Sequence, residues 1–354
     1  MIPYGRQTIE EDDIQEVIKV LRSDYLTTGP KIAEFEKLVA DYVGAKYAVA
    51  ISNDTAALHA ACHAAGIGPG DEVITTPITF AASSNCVLYC GGTPVFADVD
   101  PKTYNIDPED IKRKITDKTK GIVVINPNNP TGALYPKEIL EKIVELARKH
   151  ELMIFADEIY DRLVLDGKTH TSIASLAPDL FVVTFNGLSK SHRIAGFRSG
   201  WMVLSGDLSK AKGYIEGVNM LSSMRLCANV PAQHVIAPAL RNRPEVDDLL
   251  PGGRIYEQRK VICDAIAEID GLSAVTPEAA FYIFPKIDAK RFHILDDEKF
   301  ALDFLREKHV LLVHGRGFNW EAPDHFRIVY LPEVAVLDEC MTKMKEFLAD
   351  YQQK

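Results

Sequence analysis

The strongest constraint on the fold is the repeated alternation of short apolar, β-branched runs with longer amphipathic segments. The apolar runs are KYAVAI, EVITT, PVFADV, GIVVIN, LMIFAD and LFVVTF. The segments with helical spacing include TAALHAACHAAG, FAASSNCVLYC and PKEILEKIVELARKH. Strands that alternate with helices in this way form a mostly parallel sheet with helices on its faces. We therefore predict an α/β fold.

The length and the change of pattern along the chain predict two domains. A chain of 354 residues is too long for one compact core. After RNRPEVDDLLPGG (241–253) the pattern changes to a long helix, short strands and a closing helix. We predict a large domain over residues 26–240 and a smaller α+β domain formed by residues 1–25 and 241–354.

Charge and cysteine usage limit the classes of partner. The net charge of −10 argues against general binding to nucleic acid or to an anionic membrane. The six cysteines show no CxxC and no metal-ligand spacing, so we predict no metal site and a reducing, cytoplasmic compartment. The start, MIPYGRQTIEEDD, lacks the apolar core of a signal peptide, and no later stretch has membrane-spanning length.

Polar residues follow five of the predicted strands. In an open α/β sheet, ligands gather at the carboxyl ends of the strands. These ends continue as SNDT, PITF, NPNNPTG, ADEIY and NGLSK. They would bring a helix N-terminus, an aromatic ring, an asparagine loop, an acid and a lysine to one edge of the sheet.

Each of these signals also has a plainer interpretation. NPNNPTG could be only a turn, and Asp157 with Glu158 could cap a helix. Lys190 could be a solvated charge, and Arg198 could pair with any carboxylate. The glycines of GIGPGDE (66–72) follow a predicted helix and precede a strand, which favours a helix stop and turn over a dinucleotide loop.

Taken together, the strand-end residues fit pyridoxal 5′-phosphate. This cofactor needs a lysine for an imine, a carboxylate facing the ring nitrogen, a donor at its phenolic oxygen and a phosphate clamp. Lys190 ends an apolar run, and Arg198 follows eight positions later on a glycine-rich turn. A lysine among cationic and apolar neighbours has a lowered pKa and can act as a nucleophile and proton shuttle.

A series of motifs in the later part of the chain carries a family resemblance. In order they are NPNNPTG, FADEIY, FNGLSK, AGFRSGW, YIEG, SMRLCANVPAQ, PGGRIYEQR, FPKIDAKRF and FNW. On these motifs, residues from about 119 to 354 resemble the fold-type I, pyridoxal-phosphate-dependent aminotransferases of the aspartate aminotransferase superfamily. Within it, they are most similar to the bacterial alanine (glutamate–pyruvate) aminotransferases.

The resemblance implies roles around the cofactor ring. Lys190 should form the imine and transfer the proton, Asp157 should hold the pyridinium, and these two with Tyr160 form the expected catalytic set. Asn129 should donate to the phenolic oxygen with Tyr160 as its partner, and should also lie beside the substrate. Arg327 should bind the substrate α-carboxylate.

The resemblance also implies a phosphate clamp. Arg198 should grip the phosphate as a fork. Gly187 departs from the pattern, because many members of the superfamily carry a phosphate-binding serine there. Ser189 is the neighbouring residue that could contribute in its place.

The earlier part of the chain resembles a different branch. LTTGPKIAEFEKLVADYVGAKYAVAISN, TAALHAA, GPGDEVITTPITFAASSNCVLYCGGTPVFADVD and YNIDPEDIKRKIT are similar to the DegT/DnrJ family of nucleotide-sugar aminotransferases. That resemblance implies that Phe80 stacks on the ring and that Asn53, Asp54 and Thr55 cradle the phosphate at a helix N-terminus. The histidine–proline segment that precedes the lysine of the sugar enzymes is absent. We expect two branches joined near ITDKTKGIVV, in a recombined, designed or divergent chain.

Asp54 stands where a small residue is expected in SN-x-TAAL. It could be a helix N-cap. Its charge would also compete with a phosphate dianion for the same backbone N–H groups, so the sequence predicts that Asp54→Gly tightens cofactor binding.

The function predicted from the sequence is transamination between an amino acid (alanine or glutamate) and a 2-oxo acid (pyruvate or 2-oxoglutarate). One alternative is a keto-sugar nucleotide as the amino acceptor, and another is a folded cofactor-binding hybrid with little activity. The resemblance implies a homodimer with shared active sites. His192 either lines the site or has a polar surface role, and His314 and His325 carry no predicted chemistry.

Overall fold

The computed structural model describes residue 9 and residues 11–224, 226–241 and 245–354. Predictions that fall on residues 1–8, Glu10, Arg225 and residues 242–244 lie outside the described residues. The helices are α1 Glu11–Leu21, α2 Lys31–Val43, α3 Asp54–Ala64, α4 Ala82–Leu88, α5 Pro108–Lys114, α6 Lys137–His150, α7 Leu188–Ser191, α8 Lys212–Ser223, α9 Val230–His234, α10 Ile236–Arg241, α11 Glu245–Leu249, α12 Arg254–Glu268, α13 Asp297–Lys308 and α14 Val334–Asp350. The strands are β1 Tyr47–Ile51, β2 Glu72–Thr75, β3 Thr93–Phe96, β4 Thr119–Ile125, β5 Met153–Asp157, β6 Phe181–Gly187, β7 Gly200–Gly206, β8 Leu272–Ser273, β9 Tyr282–Ile283, β10 Lys286–Ile287, β11 Val313–His314 and β12 Phe326–Val329.

A seven-stranded sheet organises the larger part of the molecule, in the order β1-β7-β6-β5-β4-β2-β3. Neighbouring strands are parallel except where β7 lies between β6 and β1, because β7 runs antiparallel to both. The prediction of a mostly parallel α/β sheet is therefore confirmed. GIGPGDE joins α3 to β2, so the turn predicted there is confirmed as well.

The sheet is apolar on both faces. In β4, Val123 and Ile125 pack into one apolar cluster with α3 and α4, whereas Ile122 and Val124 pack into another with α6. Successive side chains of a strand point to opposite faces, so a continuous apolar run needs helices on both sides. This is why the apolar runs of the sequence show no polar alternation.

The later part of the chain builds a separate apolar cluster. It lies between α12, α13, α14 and the short antiparallel strands, and includes the buried rings of Phe300, Phe304 and Phe347. This cluster supports the proposed smaller domain, which stays a prediction. At the other end of the chain, α1 packs against α9, beside the cluster that covers β1 and β7.

The strand directions place the candidate site. Because β1, β2, β4, β5 and β6 all run the same way, their carboxyl ends meet at one edge of the sheet. The antiparallel β7 begins at that edge, so the turn before it reaches the same place. Across the described ranges of the chain, no helix has the length and apolar character that a membrane crossing requires.

Candidate active site

A pocket of about 300 Å³ opens at the edge where the strands end. All eleven residues that the sequence nominated line it: Asn53, Asp54, Thr55, Phe80, Asn129, Asp157, Tyr160, Ser189, Lys190, Arg198 and Arg327. The lining also includes six residues that sequence reasoning did not nominate: Leu58, Ala82, Ile125, Ile159, Ala195 and Tyr282. The structure therefore brings the five strand ends together, as the parallel sheet predicts.

Asp157, the last residue of β5, supplies a buried carboxyl group. Its Oδ1 accepts a hydrogen bond from the backbone N–H of Ile159 at 3.2 Å. Burial nevertheless raises the pKa of Asp157, because a charged carboxylate loses its hydration there. The alternative that Asp157 and Glu158 cap a helix is wrong, since the chain continues from β5 into turns.

Lys190 reaches the pocket on α7, the one-turn helix that follows β6. Its Nζ atom lies 5.9 Å from the centre of the Tyr160 ring. Burial lowers the pKa of Lys190, and the positive charge of Arg327 lowers it further, while Asp157 opposes both effects. A lysine in this setting is not an ordinary solvated charge, and its neutral amine is accessible nearer to neutral pH.

The segment NPNNPTG forms a turn and also contributes to the pocket, so its two interpretations are compatible. Asn128 Nδ2 donates to the backbone carbonyl of Ile78 at 3.0 Å, and Asn126 Oδ1 accepts from the backbone N–H of Tyr135 at 3.0 Å. These two amides hold the turn in place. The third amide, that of Asn129, lines the pocket, where its Oδ1 accepts from Arg327 Nη1 at 2.8 Å.

Arg327 lies in β12 between two aromatic rings. Its guanidinium carbon is 4.6 Å from the ring centre of Tyr282 and 4.8 Å from that of Phe318. Its Nε is buried and has no hydrogen-bond partner in the described part of the protein. A stacked guanidinium with an unused donor is suited to a carboxylate that arrives from solvent.

Tyr282 is the main residue that the sequence analysis missed. Its hydroxyl lies 3.1 Å from the hydroxyl of Tyr160, and the two rings meet edge to face. The only available signal was its place in the apolar stretch FYIF, which is equally typical of a core strand. Tyr282 therefore connects the ring of Tyr160 with the guanidinium of Arg327.

The first turn of α3 lies at another part of the pocket wall. Asn53 is the N-cap, and its Oδ1 accepts from the backbone N–H of Ala56 at 2.9 Å. The expectation that Asp54 is the N-cap is therefore wrong, because Asp54 is the first residue inside the helix. The remaining N–H groups of a first helical turn have no intrahelical acceptor and favour anions.

Arg198 and Ser189 also line the pocket from the segment around α7. Arg198 adopts a left-handed backbone conformation with φ 55°, and its Nη1 donates to the carbonyl of Ala195. Gly187 has an extended backbone, and a Cβ atom there would lie 2.7 Å from the carbonyl oxygen of Ser199. A serine at residue 187 would therefore need a backbone shift, which explains why the phosphate-binding serine of the wider superfamily is absent here.

Asp54 makes a contact that the sequence did not reveal. Its carboxyl group is in hydrogen-bonding contact with that of Asp157. Its Oδ1 is shielded from solvent and accepts no hydrogen bond from an N–H or O–H group in the described part of the chain. The side chain that contacts the carboxyl group of Asp54 is thus another acid, Asp157.

The histidines stay outside the pocket lining. His192 Nδ1 lies 2.9 Å from the hydroxyl of Ser191. His325 is buried in an aromatic cluster with Trp320. Its Nε2 lies 3.1 Å from the hydroxyl of Tyr104, and its Nδ1 lies 2.7 Å from Oδ1 of Asp324. These contacts give His325 a packing role.

The pocket can be tested against the cofactor that the resemblance implies. It combines a buried carboxyl, a lysine of lowered pKa and an arginine with an unused Nε donor, together with the start of a helix. Its cations are Lys190, Arg198 and Arg327, and its acids are Asp54 and Asp157. This donor set suits a ligand with a phosphate group, a basic ring nitrogen and a carbonyl carbon that an amine can attack, so the residues fit pyridoxal phosphate. Arg327 remains available for the carboxylate of a substrate.

Comparison with known proteins gives relatives over most of the chain. The chain is 53% identical over 309 residues to the glutamate–pyruvate aminotransferase AlaA of Haemophilus influenzae, covering 86% of this chain and 76% of that protein. It is 46% identical to an alanine aminotransferase of Mycobacterium tuberculosis, covering 80% and 67%. An aminotransferase structure from Escherichia coli superposes with a TM-score of 0.93 at 45% identity, covering 99% of this chain and 89% of that one.

A family model matches the earlier part of the chain. Residues 7–158 match the DegT/DnrJ/EryC1/StrS aminotransferase family. This match extends beyond residue 119, and the alignment of 309 residues with the Haemophilus protein reaches well upstream of it. Neither similarity stops at the junction expected near ITDKTKGIVV, so mixed ancestry stays a prediction.

Proposed function

Because the chain belongs to the fold-type I aminotransferases, with homology to the glutamate–pyruvate enzymes, we propose that it transfers an amino group between an amino acid and a 2-oxo acid. The proposed donors are alanine and glutamate, and the proposed acceptors are pyruvate and 2-oxoglutarate. The proposed cofactor is pyridoxal 5′-phosphate.

The observation that carries the proposal is the convergence of Lys190, Asp157 and Arg327 on one pocket. When bound, pyridoxal phosphate supplies an electron sink for negative charge that develops at the substrate α-carbon. Asp157 would face its ring nitrogen, and Asn129 with Tyr160 would face its phenolic oxygen. Arg198, Ser189 and the start of α3 would hold its phosphate, and Phe80 would cover the ring.

Lys190 is the proposed proton carrier. Its Nζ would accept the proton from the substrate α-carbon and hold it next to the cofactor that serves as the electron sink. Burial and Arg327 lower the pKa of Lys190, so a larger fraction of its amine is neutral, and able to act as a base, than for a solvent-exposed lysine. The Tyr160 ring beside this amine restricts the positions it can occupy.

Arg327 is the proposed anchor for the substrate α-carboxylate. Tyr282 and Phe318 hold the guanidinium plane, and its Nε has no hydrogen-bond partner among the described residues, so a bound carboxylate would satisfy this donor. Asn129 already contacts Nη1 and would orient the carboxylate from the other side. A carboxylate held in this way would fix the position of the α-carbon relative to Lys190.

The experiment is a panel of single half-reactions on the cofactor-loaded protein. We expect alanine and glutamate to convert the cofactor to its amino form and to release pyruvate and 2-oxoglutarate. An amine without an α-carboxylate should react far more slowly. Absence of oxo-acid production from every amino acid donor would refute the proposal.

A second candidate follows from the family match over residues 7–158. If this region sets the acceptor, a keto-sugar nucleotide should take the amino group after a glutamate half-reaction. Assaying pyruvate and a keto-sugar nucleotide side by side on the amino form separates the two. We favour pyruvate, because the sugar substrate offers no α-carboxylate to Arg327.

We also propose that two copies of the chain form a homodimer with shared active sites, in the cytoplasm. Three apolar side chains near the end of α8 are mostly exposed to solvent in the single chain: Met220, Met224 and Leu226. A second copy of the chain that covered them would remove this apolar surface from water, which supports the proposed dimer. Light scattering on the purified protein tests the dimer, and a monomer at assay concentration would refute it.

A further inference from the structure

Two acids line the pocket from elements that are far apart in the sequence but pack against each other, α3 and β5. Asp54 opens α3 and Asp157 closes β5. Their carboxyl groups are in hydrogen-bonding contact. Ionised carboxylates are acceptors only, so a hydrogen bond between two carboxyl groups requires a proton on one of them.

The surroundings decide which acid keeps the proton. Asp157 accepts the backbone N–H of Ile159 at 3.2 Å, and such a donor stabilises the charged form. The buried Oδ1 of Asp54 accepts no N–H or O–H donor in the described chain. The proton therefore belongs on Asp54, and the negative charge belongs on Asp157.

The electrostatic environment agrees with this assignment. Burial, and then the charge of Asp157, raise the pKa of Asp54 well above its ordinary value. Burial also raises the pKa of Asp157, but the hydrogen bond from Asp54 opposes that shift. Lys190 on α7 favours both charged forms, and Cys86 on α4 opposes ionisation of Asp54. Glu158, which follows Asp157 in the chain, interacts unfavourably with the Asp157 charge when it is itself ionised.

We propose that Asp54 is a positioning residue, a neutral carboxylic acid that donates its proton in a hydrogen bond to Asp157. This contact holds the Asp157 carboxylate ionised and oriented toward the ring nitrogen of the bound cofactor. A carboxylic acid kept neutral in a buried site is a known way to supply a hydrogen-bond donor. The statement about the ring rests on the proposed function, whereas the carboxyl pair itself does not.

The first test uses the ligand-free full-length chain and infrared spectroscopy. At pH 7 we expect a carbonyl band of a protonated carboxyl group that disappears in Asp54→Asn. Burial raises the pKa of Glu158 to about 8, so this acid should also give a band of a protonated carboxyl group at pH 7. Glu158→Gln is therefore the matched control, because it removes the Glu158 band and leaves that of Asp54. Spectra of Asp54→Asn and the unsubstituted chain that match in this region would overturn the proposal.

The second test measures affinity for pyridoxal phosphate in two variants. Asparagine can donate to Asp157 without a proton on a carboxyl group, so Asp54→Asn should bind within about threefold of the unsubstituted chain. Leucine cannot donate, so Asp54→Leu should bind about 10- to 100-fold more weakly, as for a lost hydrogen bond to a charged group. Equal affinity in Asp54→Leu would overturn the positioning role.

Asp54→Gly separates this proposal from the expectation raised by the sequence alone. A charged Asp54 that competes with the phosphate predicts tighter binding in the glycine variant. A neutral donor to Asp157 predicts weaker binding, because the donor is lost. Tighter binding in Asp54→Gly would therefore overturn the proposal.

The two tests fail in different ways. A chain that shows the Asp54 band but binds no pyridoxal phosphate would overturn the cofactor contact and, with it, the proposed function. A chain that binds the cofactor normally but lacks the band would overturn the carboxyl pair alone.

Discussion

The pocket is lined by an earlier set of residues, from Asn53 to Ala82, and a later set, from Ile125 to Arg327. The earlier set presents a helix start, one aromatic ring and one ionisable side chain, that of Asp54, which we propose to be neutral. The later set carries Asp157 and all three cations of the lining. The two sets therefore differ in the kind of group that they offer a ligand.

This difference indicates a division of tasks. Proton transfer and recognition of anionic groups need charged side chains at fixed positions, and these come from the later set. In the proposed function, the earlier set would contribute backbone donors to the phosphate, an aromatic contact with the cofactor ring and a hydrogen bond to Asp157. Substitutions in the later set should therefore change activity more than substitutions in the earlier one.

Replacement of Lys190 should have the largest effect. Lys190→Ala removes the proposed proton carrier, so the alanine half-reaction should slow by at least about 10³-fold. Stopped-flow absorbance of the cofactor measures this rate. Lys212→Ala, whose side chain is 89% exposed, is the control and should react like the unsubstituted chain. A half-reaction of normal rate in Lys190→Ala would contradict the proposal that the later set carries out the proton transfer.

Arg327→Lys should have the next largest effect. Lysine keeps the charge but loses the planar fork that lies between Tyr282 and Phe318, so KM for alanine should rise about 10- to 100-fold. Steady-state kinetics measures the change. The slow reaction of an amine without an α-carboxylate is the control and should be unchanged, and an equal loss with both substrates would contradict carboxylate recognition.

Phe80→Leu tests the earlier set and should have a smaller effect. Phe80 lines the pocket, and the residue is 52% exposed in the structure. Stacking contributes about 0.5–1.5 kcal/mol, so cofactor affinity should fall about 2- to 13-fold. Titration with pyridoxal phosphate measures this change. A loss as large as that of Lys190→Ala would break the proposed division of tasks.

Glu158→Gln should leave the pocket reactions unchanged and alter only the pH dependence of stability. Burial raises the pKa of Glu158 from 4.5 to about 8, so the folded state binds this proton more tightly than the unfolded state. The stabilisation that the acid provides is present below pH 4.5 and is lost as the pH rises through about 8. Denaturant unfolding at several pH values measures the free energy of unfolding. As the pH rises, this free energy should decline less in Glu158→Gln than in the unsubstituted chain. Parallel curves for the two proteins would contradict the assignment.

Much of the fold and the site follows from local sequence patterns. Apolar runs predict the strands because a strand covered on both faces has few polar side chains, and parallel strands place their ends at one edge. Asn129 and Lys190 follow strands and Asp157 ends one, so their meeting follows from strand direction. That is why these residues could be nominated before the sheet order was known.

Other features could not be predicted, because they depend on contacts between distant segments. Preference for Asp at helix starts cannot choose between Asn53 and Asp54, and it suggested a helix after Asp157 where the chain turns instead. The contact of Asp54 with Asp157 joins residues about one hundred positions apart. From the sequence, Tyr282 would be assigned to the core, because the sequence pattern of a short apolar strand does not show whether its side chains face the core or a pocket.

The most direct test of the account is reductive trapping of the cofactor on the protein. After incubation with pyridoxal phosphate and reduction with borohydride, peptide mass spectrometry locates the modified lysine. The account predicts one dominant site, Lys190, which free alanine present before reduction should protect. Modification spread over surface lysines, or concentrated on a lysine outside the pocket, would contradict the claim that Lys190 and Asp157 act on one bound ring.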